Sequence, residues 1–214
     1  MDAAPRQKPV AVRDAEATRR RILEAARAEF ARHGLGGARI ERIAEAARTN
    51  KRMLYYYFGN KEGLFLAALE ATYDDIRAAE RALNLTALAP LEALERLVRF
   101  TGDYFVEHPE FMMMLNSETL HKARHLKKSK QIPAMNSPLI ATMATILKRG
   151  ASAGTIRRGV DPLQLYISIA ALAYFYLSNA FTLSVTFGRD VLSKPEMKRR
   201  IEHIVELVVT GLRP

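Results

Sequence analysis

Apolar residues recur along this chain at three- and four-residue intervals and rarely alternate with polar ones. That is the period of an amphipathic helix, not of a strand. The first stripe is Ile22, Leu23, Ala26 and Phe30, which predicts a helix over 14–33 stopped by Gly34. A short stripe, Ile43, Ala44 and Ala47, predicts a second helix over 40–47. Leu54 and Phe58, four apart, predict a third over 51–57, with Asn50 as its N-cap. Gly59-Asn60 is a turn, and a fourth helix is expected over 61–84. Pro90 and Pro109 sit where prolines open helices, giving a fifth over 90–107 and a sixth over 109–121. Residues 122–132 are irregular or form a short extra turn. Pro133 and Pro138 introduce a seventh helix, ending near Gly150 or Gly154. Asp161-Pro162 opens an eighth, and Pro195 a ninth that ends near Leu212. The expected fold class is therefore all-α, with about nine helices.

The second and third helices are short and joined by only Arg48-Thr49-Asn50. With the first helix behind them, they make a helix-turn-helix candidate over about 38–57. If Leu54 and Phe58 face inward, Lys51, Arg52, Tyr55 and Tyr56 face outward. A helix N-terminus carrying two cations suits a polyanion, since the dipole and the charges act together. Tyrosine hydroxyls can donate to phosphate, and Arg or Lys can read guanine in the major groove.

Charge sharpens this picture. The net charge of the 214 residues is +10, but it is zoned. Residues 1–60 carry net +6, 61–120 net −6, 121–158 net +9 and 159–214 net +1. The first basic zone coincides with the helix-turn-helix and points to nucleic acid. Cysteine is absent, which excludes disulfides, thiolate metal sites and cysteine nucleophiles. It also fits a reducing, cytoplasmic setting. The first residues hold Asp2, Arg6, Lys8 and Arg13 and no apolar run, so a signal peptide is not expected. Residues 1–14, with Pro5 and Pro9, read as a disordered arm.

The stretch Thr18-Arg19-Arg20-Arg21-Ile22-Leu23-Glu24-Ala25-Ala26 carries a more specific signal. So do Phe30, His33-Gly34, Ile43-Ala44, Ala47, Leu54-Tyr55, Tyr57-Phe58 and Lys61-Glu62-Gly63-Leu64. Together they resemble the TetR family of bacterial transcriptional regulators. The resemblance in motif covers about residues 15–75. It implies a DNA-binding domain over 15–75 and an effector-binding and dimerisation domain over 76–214. It implies phosphate contacts from Tyr55, Tyr57 and Lys61. Base reading would come from Asn50, Lys51 and Arg52, with Arg39 and Arg42 also near DNA. The chain departs from the family pattern twice. Ala38-Arg39 stands where Thr-Ser is usual, and the turn lacks the usual Gly-Val-Ser/Thr. Arg48 therefore risks a strained positive φ.

The rest of the chain is weighed within that resemblance. Pro162 to Gly188 holds no charged residue and would span about 40 Å as one helix. A membrane span of that length would be interrupted by Gln164, Ser168, Ser178, Asn179, Thr182, Ser184 and Thr186. Burial in a dimer interface explains it better. The expected interface residues are Phe175, Leu183, Met197, Ile201, Ile204 and Val208. Dimerisation places two helix-turn-helix modules one DNA turn apart, to read a palindromic operator on double-stranded DNA. Tyr104, Phe105, Phe111, Met114 and Met143 are either core or, with Tyr174 and Asn179, an effector pocket.

His121 and His125, four apart, follow Glu118, which is metal-like spacing. Lys122, Arg124, Lys127, Lys128 and Lys130 surround them and would repel a cation, so no metal is expected. The segment reads as a solvated face, an anion-binding lip or a second DNA contact. No nucleophile elbow, phosphate loop or paired carboxylates are recognisable, so neither an enzyme nor a cofactor is expected. The expected function is a sequence-specific regulator, a repressor released by an unknown small molecule. A family activator and a non-specific DNA-organising protein are the alternatives.

Overall fold

The computed structural model describes residues 10–214, and among them every regular element is helical. The helices are α1 (Val10–Gly37), α2 (Ile40–Ala46), α3 (Lys51–Phe58), α4 (Lys61–Ala82) and α5 (Pro90–Glu107). They continue as α6 (Pro109–Leu120), α7 (Gln131–Ser152), α8 (Pro162–Ser178), α9 (Ala180–Phe187) and α10 (Lys194–Leu212). Short 3₁₀ turns lie at Leu85–Ala87 and Leu126–Lys128. Helix α1 begins at Val10, so residues 10–14 of the expected arm are helical; residues 1–9 lie outside the described residues. Gly34, at φ 63 and ψ 177, breaks α1 where the sequence predicts its end.

There are ten helices among the described residues, not nine, because the uncharged stretch is not one rod. Helices α8 and α9 meet at Asn179 with a bend of 68°. No glycine or proline causes the break. The Asn179 side-chain nitrogen donates to the Phe175 carbonyl at 2.9 Å and to Ser178 Oγ at 3.0 Å. A side chain bonded back onto its own helix competes with continued helix. No single helix among the described residues is long and apolar enough to cross a membrane.

The chain forms two compact units. One holds the residues up to Thr72 together with Met113–Ser129; the other holds Tyr73–Met112 and Lys130–Pro214. The first differs from the expected 15–75 by recruiting a distant segment. Its core is Ile22, Ala26 and Phe30 from α1, Ile43 and Ala44 from α2, Leu54 from α3, and Leu64, Phe65 and Leu69 from α4. Met114 of α6 is fully buried in the same cluster, and Leu126 packs on it. Phe30 and Phe65 meet edge-on at 5.1 Å. Burial of this many large apolar side chains, each contributing about 1.5–3 kcal/mol, is what holds a short helix pair in place.

Glu118 anchors the recruited segment. Its carboxylate accepts from the backbone N–H of His125 at 2.7 Å and of Leu126 at 2.9 Å, and sits 2.6 Å from His125 Nδ1. Both side chains are almost fully buried, and the His125 ring stacks edge-on against Phe65. The expected solvated face is therefore corrected for this pair. Lys122, Arg124, Lys127, Lys128 and Lys130 are exposed, as predicted. Lys122 and Ala123 take positive φ, which turns the chain back onto α6. No cluster among the described residues could hold a metal ion.

The second unit is built on α5. Its face of Ala93, Leu94, Leu97, Val98 and Thr101 is buried. Gly102 allows α10 to come close, since a Cβ there would lie 3.0 Å from Ile201 Cγ1. Arg99 ties the pair by donating to Glu95 and to Glu202, the latter at 2.7 and 2.8 Å. Helix α10 is tied to α8 by Arg200, which donates to the Leu172 carbonyl at 2.8 Å and stacks over Tyr176.

Candidate nucleic-acid interface

Helix α3 starts where Asn50, in extended backbone, accepts from the Met53 N–H at 3.1 Å. That is the N-cap expected from the sequence. The turn before it is made by Arg48 at φ 52 and closed by Thr49 donating to the Ala44 carbonyl at 2.9 Å. Arg48 thus adopts the conformation that the missing glycine would have taken freely. Arg21 of α1 reaches the Ala47 carbonyl at 3.4 Å, binding one of the free carbonyls at the end of α2.

With Leu54 buried, the other side of α3 faces out. Lys51 and Arg52 are exposed, Tyr55 is 47% exposed and Tyr56 is 77% exposed. Tyr57 is half-buried against the core and meets Tyr56 edge-on at 5.2 Å. Phe58 is covered by Arg19, whose guanidinium lies 5.4 Å from the ring. Lys61, the first residue of α4, is half-buried with Nζ 3.5 Å from the Gly36 carbonyl. Arg39 is exposed, and its N–H donates to Glu29 at 3.0 Å. Arg42 lies 3.6 Å from the same carboxylate and 3.3 Å from His33 Nε2. Glu29 thus serves the N–H of the N-cap residue itself, while α2 has no side-chain cap of the usual kind.

Glu41, which the sequence reading did not single out, forms an ion pair with Lys51. The hydrogen bond holds the Glu41 carboxyl below the usual range and the Lys51 ammonium above it. The two residues lie on consecutive short helices, so only the fold could have paired them.

The pair of short helices thus presents a cationic, tyrosine-bearing outer face. Residues 22–68 match the model described as "Bacterial regulatory proteins, tetR family", and 90–208 match "Tetracyclin repressor-like, C-terminal domain". The chain is 38% identical over 208 residues to the HTH-type transcriptional repressor NicS of Pseudomonas putida, covering 97% of this chain and 98% of that one. The chain belongs to the TetR family. It is 26% identical to the HTH-type transcriptional regulator RutR of Escherichia coli, covering 94% and 93% of the two chains. A solved Streptomyces coelicolor protein superposes with TM-score 0.69 at 26% identity, over 92% of this chain and 99% of the other. This TetR-family protein is a DNA-binding transcriptional regulator and not an enzyme.

Other expected sites are distributed differently. Tyr104 and Phe105 of α5 do surround Phe111 of α6, with ring centroids at 5.9 and 5.5 Å. All three are buried, as is Met143 on α7. Met114 belongs to the helix-turn-helix core instead, because α6 carries it past the end of the second unit. Tyr174 is half-buried, and Asn179 serves the bend between α8 and α9. A half-open pocket of this unit lies elsewhere. A cavity of about 160 Å³ is lined by Arg77, Glu80, Leu85, Met135, Leu139 and Thr142, among others.

The expected dimer residues also divide. Phe175 is 58% exposed and Leu183 half-exposed. Met197 and Ile201 are partly covered, whereas Ile204 and Val208 are buried within their own chain. The stripe on α10 is apolar because it packs inward, on the chain's own α5 and α8, and so does not offer Ile204 or Val208 to a partner. The exposed apolar side chains concentrate on α8 (Leu163, Ile167 and Phe175) and α9 (Phe181, Val185 and Phe187), with Val106 of α5, Leu207 of α10 and Leu192 just before α10 exposed as well.

Proposed function

We propose that this protein is a repressor that holds a palindromic operator as a homodimer and releases it when a small molecule binds. The observation that carries the reading is the exposed face of α3, where Lys51, Arg52, Tyr55 and Tyr56 stand together over a buried Leu54. Asn50, Lys51 and Arg52 read base edges. Tyr55, Tyr57 and Lys61 hold phosphates, with Arg39 and Arg42 flanking. Four of the relatives found, NicS among them, are named repressors, which favours that sign of control.

The dimer forms over α8 and α9. Phe181 and Val185 are 82% and 86% exposed, beside Phe175 and Leu183. A run of large apolar side chains left in water is the mark of a partner surface. One module alone binds weakly, and two fixed one DNA turn apart read both half-sites. Release follows if the effector binds better to a state in which that spacing is lost.

A footprint on DNA flanking the protein's own gene tests the reading. Protection of a two-fold symmetric site is expected. Uniform protection along the fragment would instead support a DNA-organising protein.

A further inference from the structure

Arg77 is 2% exposed and lies on α4 with Glu80 one turn on, at 5%. Its Nη2 donates to the Tyr166 hydroxyl at 2.7 Å, and the Tyr166 ring lies 5.4 Å from the guanidinium. Its Nη1 is 2.6 Å from Glu80 Oε2, but out of line: Arg77 Nε, Arg77 Nη1 and Glu80 Oε2 all lack a hydrogen-bond partner. A buried guanidinium with two nitrogens unserved is costly, and proteins rarely leave one so. Arg77 and Glu80 line the half-open cavity of about 160 Å³ bordered by the Leu85–Ala87 turn and α7.

We infer that this cavity is the effector site and takes a small carboxylate, its anion held by Arg77 and its apolar part lying against Leu85, Met135 and Leu139. The inference rests on the reading of the protein as an effector-controlled regulator. Size guides the class: a cavity of about 150 Å³ accommodates a benzene ring, so a single-ring or short-chain acid fits. Charge sets the sign. Among the lining side chains, Arg77 and Arg81 are cationic and Glu80 is the one acid. Burial pushes the Glu80 carboxyl up to about 7 against the pull of Arg77 and Arg81, so near neutrality it compensates Arg77 only in part. Burial likewise pushes the Tyr166 phenol up, so it stays neutral and a donor. An incoming carboxylate supplies the missing negative charge and the missing acceptors, and its charge-assisted hydrogen bonds are the strong kind. Thr142 and Asn84 on the wall add polar contacts.

The test is calorimetric titration of the full-length protein with sodium benzoate, benzamide and sodium butyrate, with DNA binding measured in the same samples. Benzoate should bind, and benzamide should bind about tenfold or more weakly. Arg77→Met should weaken benzoate by a similar factor while DNA binding persists. Thr142→Leu, which keeps the Arg77–Glu80 pair and fills the cavity, should also lose benzoate. Equal binding by Arg77→Met, equal binding of benzamide, or no binding of either acid overturns the inference. Loss of DNA binding by the unliganded wild-type protein overturns the regulator reading instead.

Discussion

A Cβ at Gly63 would lie 2.2 Å from the carbonyl oxygen of Phe58. The first turn of α4 is thus pressed against the last turn of α3, and Asn60 locks the corner by accepting from the Gly63 N–H at 2.8 Å. Gly63→Ala must push α3 away from α4. The expected cost is about 1–3 kcal/mol, as for other overpacked sites. Thermal denaturation checks the stability, and a gel shift checks that DNA binding weakens with it. An unchanged melting temperature would mean that the two helices are not held this tightly.

Glu118 accepts from two backbone N–H groups, the buried one of His125 and the part-buried one of Leu126. Glu118→Ala leaves both without it, at about 1–3 kcal/mol each. The recruited segment should loosen first. Hydrogen exchange of residues 121–129 should speed up more than that of α2, and a uniform change across the chain would count against a local anchor.

Glu80 gives a pH signature. Its carboxyl titrates at about 7 in the folded protein against an ordinary value of 4.5, because burial disfavours its charge. Below 4.5 the group is protonated in both states and contributes nothing. Between 4.5 and 7 the unfolded chain releases the proton and the folded one keeps it, so this group lowers stability as pH rises. Above 7 the loss is constant. Glu80→Gln should flatten that decline across the 4.5–7 window, as read from denaturant midpoints at several pH values. Parallel wild-type and variant curves would remove the assignment.

Local signals were legible in the sequence; tertiary ones were not. The cap by Asn50, the outward cations of α3 and the left-handed Arg48 follow from residue type and spacing. The burial of Arg77 and Glu80 does not, since both fall among the charged positions of α4 and Arg77 finds its partner in Tyr166, 89 residues away. The bend at Asn179 escaped because asparagine is also tolerated within helices. The Glu118–His125 pair, seven apart, meets only because Lys122 and Ala123 turn the chain left-handed. On α10 the apolar stripe was visible, but which neighbour it faces is a property of the packing.

The dimer face offers a direct test. Phe181→Glu and Phe175→Glu place a charge where the monomer already exposes the side chain, so the fold should tolerate them. Buried in a partner, the same charge is unpaired and costly. Both variants should sediment as folded monomers with weakened operator binding. Ile204→Ala, buried within its own chain, should lower stability instead by about 2–5 kcal/mol. Dimers that survive both glutamates would relocate the interface away from α8 and α9.

The recognition helix yields the sharpest contrast. On the proposed reading, Lys51→Ala with Arg52→Ala should abolish operator preference while leaving a folded dimer. Tyr55→Phe, if the hydroxyl serves a phosphate as proposed, should weaken binding to all sequences alike, since phosphates carry no base information. Glu41→Gln acts in the opposite direction. It releases Lys51 from its ion pair and removes a carboxylate from the face that meets DNA. Binding should tighten, and the slope of log affinity against log salt should steepen by about one per freed phosphate contact. If Glu41→Gln instead weakens binding selectively at the operator, then Glu41 orients Lys51 towards its base, and the ion pair is part of the reading head rather than a brake on it.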